Sequence, residues 1–310
     1  MTDLVTIAIH TGLKDWVCLL ENSLKSFLVC NTYPNVELLL IESGQNKDVR
    51  EWLESLDFNN FKNFDGTQTT IKPNPGVVIT KKLLFPSFKD PQSGVFSLSS
   101  SPYIQSLELA FNLAQGKYFT YMAEDHQFVI VGNVISDYIT MLEDLGAMKT
   151  MIPFLSPHKY KIGKKNNTHN GPHYITNSSG KKIAYYKIDE TKWEQYMFCR
   201  KDLYDVLGPV KDWDVSHGVN MNYTKIAIEN DIKRVYSGIT PCMWFHDGHR
   251  KGYVRKIKMG TAKDPNFILF KMHLQEDILG AGKVKDGIYA DHQPVTTEDF
   301  TLYNPFPKDS

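Results

Sequence analysis

Two short apolar runs, Leu4 to His10 (LVTIAIH) and Val36 to Ile41 (VELLLI), are separated by one amphipathic stretch from about Asp15 to Cys30. Continuous apolar runs of this length suit strands covered on both faces, and the stretch between them has the spacing of a crossover helix. The runs close on Thr11-Gly12 and Glu42-Ser43-Gly44, residues that break strands and form turns. A second, polar-faced helix is expected from Asp48 to Leu56. The strand–helix–strand rhythm predicts parallel strands whose carboxyl ends share one edge, where open α/β sheets bind ligands.

The region 58–101 is irregular and rich in Asn, Pro, Gly and Ser, with only Val77 to Thr80 resembling a strand. From Pro102 the pattern sharpens. Ile104, Leu107, Leu109, Ala110, Leu113 and Ala114 mark a helix, Gly116 ends it, and Tyr118 to Met122 forms the next strand. A helix from about Val134 to Leu145 and a strand around Met148 to Phe154 follow. A basic, Asn-rich loop and a hairpin, His173 to Ile188 turning at Asn177 to Gly180, occupy 156–190. Beyond it we expect helices at Lys201 to Leu207 and Asn220 to Asn230, a strand at Arg234 to Tyr236, and a loop from Trp244 to His249. The fold class is therefore α/β, a mostly parallel sheet flanked by helices. Its expected divisions are 1–150, 151–249 with the hairpin, and an extension at 250–310.

At 310 residues the chain can bury a substantial core, and its 35 basic and 35 acidic residues cancel. No whole-chain charge field then favours nucleic acid or an anionic membrane as the principal partner. The opening MTDLVTIAIH has no basic start, and no run of 18 apolar residues follows, so neither secretion nor a transmembrane segment is expected. Cys18, Cys30, Cys199 and Cys242 are scattered without a close pair, which suits reduced thiols in a cytoplasmic protein.

The segment YFTYMAEDH, 118–126, ends an apolar strand in adjacent carboxylates and so places hard oxygen ligands at the sheet edge. Such ligands suit Mg²⁺ or Mn²⁺, which bind one or two carboxylates together with substrate phosphates. An acidic pair at a helix N-terminus, interacting with the dipole, is an equally ordinary reading.

The run SLELAFNLAQGKYFTYMAEDH resembles the segment leading into the DXD motif of GT-A glycosyltransferases of the family-two type. IAIHTGLKD resembles that family's first strand and donor loop, and VELLLIESGQN its second strand, which ends in an acid near the nucleobase. YMFCRKDLYDVLGPVKDWD is similar to the segment before its acceptor-side loop. The likeness spans roughly 4–56 and 102–249, and order and spacing carry it more than any single motif. It implies a metal-dependent, inverting transfer of a sugar from a nucleotide diphosphate donor to a glycan, lipid-linked or other hydroxyl acceptor.

Two departures shape the site. Ala123 stands where a first aspartate could stand, leaving a Glu-Asp-His variant with Asp125 as metal ligand and Glu124 supporting. In place of an acceptor-side Glu-Asp pair the chain has DWDVSHG, so Asp214, or alternatively His217, is the candidate for taking the acceptor's proton. Either could instead be a loop residue or a helix cap. His246 matches the position of a histidine that completes the metal site, and a mixed oxygen and imidazole set favours Mn²⁺ somewhat over Mg²⁺. By default a histidine beside Trp244 and Phe245 is a packed residue. Thr11 lies in the donor loop, and Glu42 could accept from a nucleobase or be a simple cap. Arg250 and Lys251 could close over a diphosphate or form a solvated face. A catalytically inactive nucleotide-sugar or glycan-binding relative and a sugar-phosphate nucleotidyltransferase are the rival readings. Against the second, this chain has no Gly-rich phosphate loop after its first strand.

Overall fold

The computed structural model describes residues 2–12, 16–87, 102–128, 132–152, 154–155, 169–188, 197–209, 215–216, 219–220, 228–237, 242–244, 269–270, 284–285, 288–289 and 302–303. Its first half runs β1 (Val5–Thr11), α1 (Val17–Cys30), β2 (Asn35–Glu42), α2 (Lys47–Ser55), β3 (Val78–Leu84), α3 (Pro102–Leu113) and β4 (Tyr118–Ala123). Then follow β5 (His126–Phe128), α4 (Val134–Leu145), β6 (Lys149–Met151), β7 (Phe154–Leu155), β8 (His169–Thr176), β9 (Lys182–Ile188), β10 (Met197–Arg200) and α5 (Leu203–Leu207). Short strands complete the described chain: β11 (Val215–Ser216), β12 (Val219–Asn220), β13 (Arg234–Ser237), β14 (Cys242–Trp244), β15 (Leu269–Phe270), β16 (Val284–Lys285), β17 (Ile288–Tyr289) and β18 (Leu302–Tyr303).

This is a mixed α/β fold with a large central sheet flanked by helices. Among the described residues the sheet has nine strands in the order β3-β2-β1-β4-β10-β6-β13-β9-β8. Alternate residues of its strands feed two cores. Val5, Ile7 and Ile9 of β1 and Val36, Leu38 and Leu40 of β2 pack with Leu20, Leu24 and Phe27 of α1 and Trp52 and Leu53 of α2. Ala8, Leu39, Ile41 and Phe119 face the other way, against Leu107 and Phe111 of α3 and Leu203 and Leu207 of α5. Helices on both faces explain why these strands read as unbroken apolar runs. Each fully buried Leu or Ile contributes about 1.5–3 kcal/mol of burial.

The expected parallel rhythm holds from β3 to β4, where β2 pairs in parallel with both β3 and β1, and β1 with β4. Beyond β4 the sheet is mixed. The segment Met197–Arg200, to which the sequence pattern assigns no element, inserts as β10 antiparallel to both β4 and β6. The expected hairpin is present as β8–β9, and β9 joins the sheet edge antiparallel to β13. The single strand expected around Met148 to Phe154 divides. Lys149–Met151 stays in the central sheet, whereas Phe154–Leu155 pairs with β14 in a separate three-stranded sheet that also holds β5. Most of the helix expected at Asn220 to Asn230 lies outside the described residues.

Local signals set the helix ends near the site. Asn46 caps α2, its Oδ1 accepting from Val49 N–H at 3.1 Å, and such a cap is worth about 1 kcal/mol. Asn133 caps α4 through Ser136 N–H at 3.1 Å, and Gly146 ends it in the left-handed conformation at φ 60°.

Candidate functional site

The carboxyl ends of β2, β1 and β4 lie side by side, with Thr11 in register with Glu42 and His10 with Ala123. The ladder continues past the strands, since Ser43 N–H donates to Thr11 O and Glu124 N–H to His10 O, each at 3.0 Å. Thr11, Glu42, Glu124 and Asp125, expected to share a ligand edge, therefore do meet at one edge. All four are buried.

Gly12 and Gly44, just past the ends of β1 and β2, lie against each other. A Cβ on Gly44 would sit 2.0 Å from Gly12 O and 2.9 Å from Glu42 Oε1, so no side chain fits there without moving backbone. His10 Nε2 lies 2.7 Å from Ser43 Oγ, and its ring stacks on Tyr121 with centroids 6.2 Å apart. Burial pulls the His10 pKa down to about 4, so this imidazole is neutral at pH 7. Sequence reading passed over His10 because a histidine ending an apolar strand has no local signature, and its partner is 33 residues away.

Glu42 spends its carboxylate within the protein. Oε1 accepts from Asn46 N–H at 3.1 Å, beside the N-terminus of α2, and Oε2 accepts from Arg50 Nε at 2.5 Å. A carboxylate at a helix N-terminus is favoured by the dipole. Arg50, also passed over in the sequence, lies over the Phe85 ring at 5.2 Å and is a quarter exposed.

After β4 the chain turns through Glu124 and Asp125 into β5. His126 Nδ1 is 3.0 Å from Ala123 O and 3.2 Å from Asp125 Oδ1, which fixes the imidazole against the turn. Carboxylate oxygens are the ligands that Mg²⁺ and Mn²⁺ take together with phosphate and water, and here the Asp125 side chain is fully buried against His126. Among the described residues no group of three His, Cys, Asp or Glu side chains is placed to hold a metal. His246, Arg250, Lys251, Asp214 and His217 lie outside the described residues. Their surroundings are partly described: β14 pairs Trp244 with His126, and β11 and β12 pair antiparallel on either side of His217.

An apolar cavity of about 40 Å³, lined by Ile7, Phe27, Met122, Phe128, Ile135 and Phe198 among others, lies between the sheet, α1 and α4. Its walls are core side chains rather than the residues of the carboxyl edge, and we read it as a packing gap. No helix among the described residues is long and apolar enough to cross a membrane.

No family model matches the chain, and no curated protein matches it in sequence. Solved structures resemble its fold distantly. Staphylococcus aureus TarS aligns at a TM-score of 0.48 with 11% identity, over 82% of this chain and 38% of TarS. TarS 1-349, also solved in complex with UDP-GlcNAc, is covered to 60% in that form. The mannosyltransferase PcManGT from Pyrobaculum calidifontis, in complex with GDP-Man and Mn²⁺, aligns at 0.44 with 13% identity, over 86% of this chain and 67% of its own. A putative glucose-1-phosphate thymidylyltransferase from Bacillus anthracis aligns at 0.41 with 12% identity, over 87% of this chain and 98% of its own. This chain thus spans less than two thirds of TarS, and what it binds must be read from its own edge.

Proposed function

We propose that the chain is a GT-A-type glycosyltransferase, moving a sugar from a nucleotide diphosphate donor to a hydroxyl acceptor with inversion. The observation that carries this reading is the convergence of three strand ends, Thr11, Glu42 and Glu124-Asp125, on one carboxyl edge. A donor would lie across that edge with its base toward the end of β2 and its diphosphate toward the turn after β4. Between them Gly44 packs against Gly12 too closely to carry a side chain. Asp125 and His246 would hold Mn²⁺ or Mg²⁺, whose charge would offset that on the departing diphosphate. In support of His246, Trp244 is in register with His126, and two residues of extended chain reach at most roughly 7 Å further. Glu124 would orient Asp125, and Arg250 and Lys251 would close over the phosphates. Asp214, or His217 in its place, would take the acceptor's proton, with 1–150 serving the donor, 151–249 the acceptor and 250–310 an extension.

The test is a thermal-shift and calorimetric screen of nucleotide sugars with and without Mn²⁺, on the wild-type protein and Asp125→Ala. We expect a Mn²⁺-dependent ligand for the wild type and its loss in the variant, with the variant still folded by circular dichroism. Unaltered nucleotide affinity in Asp125→Ala would remove the metal assignment. Pyrophosphate release from a nucleoside triphosphate would favour the nucleotidyltransferase, and donor binding without transfer or hydrolysis the inactive relative.

A further inference from the structure

We propose that Arg50, rather than Glu42, is the side chain at the β2 corner that reads the donor. It would select a base with a carbonyl where cytosine and adenine carry an amino group, as in uracil and guanine. The inference rests on the carboxyl edge being a nucleotide site.

Glu42 and Arg50 form one unit with unequal access. The Glu42 side chain is 2% exposed and the Arg50 side chain 25%. Both Glu42 oxygens already accept hydrogen bonds, from Asn46 N–H and Arg50 Nε. Glu42 therefore steadies the start of α2 and the guanidinium, and the guanidinium is what a ligand meets. Its plane is held from several sides, by Glu42 at 2.5 Å, the Phe85 ring at 5.2 Å and, more weakly, Pro86 O at 3.4 Å from Nη2. Among the described residues the hydrogen bonds of the guanidinium leave from Nε and Nη2. A planar fork held in this way is organised before binding and loses little freedom when a ligand accepts from it.

Charge and spacing narrow the ligand. Arg50 and Glu42 cancel, so the corner offers directed N–H donors without net charge, which suits a neutral carbonyl better than a phosphate. Arginine has only donors, so it bonds a ring carbonyl and opposes an exocyclic amino group. The end of β2 is two strands from β4 in the order β2-β1-β4, about 10 Å at the usual strand spacing. That separation suits the base and the diphosphate of a single nucleotide lying between Arg50 and Asp125.

The experiment is titration calorimetry of UDP, GDP, CDP and ADP in Mn²⁺ with wild-type protein, Arg50→Ala and Arg50→Lys. We expect the wild type to bind UDP or GDP at least about tenfold more tightly than CDP and ADP. Arg50→Ala should weaken the preferred nucleotide by about the same factor and level the four affinities. Arg50→Lys should not restore the preference, because an ammonium keeps the charge but lacks the fork. If Arg50→Ala does not fold, Arg50→Lys carries the same comparison. Equal binding of all four nucleotides by the wild type, or an intact preference in the foldable variant, would overturn the role of Arg50 and leave the nucleotide site standing. No binding of any of the four by the wild type would overturn the nucleotide site itself.

Discussion

Strand β2 carries a buried glutamate near each end, Glu37 toward the amino edge of the sheet and Glu42 at its carboxyl edge, 1% and 2% exposed. Glu37 is closed in by structure. Its Oε2 accepts from Thr6 Oγ1 at 2.6 Å and Gln115 N–H at 2.9 Å, and Lys82 Nζ lies 3.7 Å from Oε1. Thr6 Oγ1 in turn accepts from Gly116 N–H at 2.9 Å, and Lys82 donates to Leu113 O at 2.7 Å. This cluster ties the end of α3 to β1, β2 and β3. Glu42 is equally buried, and each acid has a partly exposed cationic partner, Lys82 at 30% and Arg50 at 25%, but Arg50 stands at the carboxyl ends of the strands, whereas Lys82 is turned to Leu113 O at the end of α3. A buried acid thus says little about function until the place of its partners in the sheet is known.

The comparison can be broken at either end. The largest effect on stability should come from Glu37→Ala, which leaves a hydroxyl and an amide without their acceptor and Lys82 without its counter-charge. With Lys82 partly exposed, we expect a loss of about 3 kcal/mol, measured by urea unfolding, with nucleotide affinity unchanged. A stable variant that no longer binds nucleotide would exchange the roles assigned to the two ends.

Gly44→Ala should follow. Because the added methyl meets Gly12 O at 2.0 Å, the loop must shift, costing about 2–3 kcal/mol. Unlike Glu37→Ala, it should also weaken nucleotide binding, so calorimetry on both variants separates the two edges.

The carboxyl edge should also respond to acid through His10. In the fold its pKa is lowered from 6.5 to about 4, so between those values the unfolded chain binds the extra proton. Stability from this group is complete above about pH 6.5 and is lost as pH falls toward 4. Moving from pH 7 to pH 5 should cost about 2 kcal/mol. In His10→Gln the change in urea midpoint over that interval should be smaller, and an unchanged pH response would show that His10 titrates normally.

The smallest effect should come from Lys47→Ala. The Lys47–Glu51 pair on the outer face of α2 is 3.5 Å apart with side chains 85% and 61% exposed, worth less than about 0.5 kcal/mol. Nucleotide preference should not change. A shift comparable to that of Arg50→Ala would mean that general charge on α2, not the held guanidinium, does the reading.

The sequence by itself determined the elements of β1, α1, β2, α2, α3, β4 and α4 to within a few residues. Strands covered on both faces must be apolar throughout, and helices such as α4 announce their ends with Asn133 and Gly146, so these signals are local. That Thr11, Glu42 and Glu124-Asp125 share an edge was legible too, because crossover helices oblige strands to run parallel. Only the tertiary structure decided what those residues touch. The partners of Glu37 come from β1, β3 and the end of α3, up to 78 residues away, and His10 meets Ser43 across 33 residues. Arg50 gains its place from Phe85 and Glu42 together. The insertion of β10 between β4 and β6, and the division of Lys149–Leu155 between two sheets, were likewise beyond local reading. A four-residue strand has too few side chains to show a period, and its pairing is set by the neighbours that leave a gap for it.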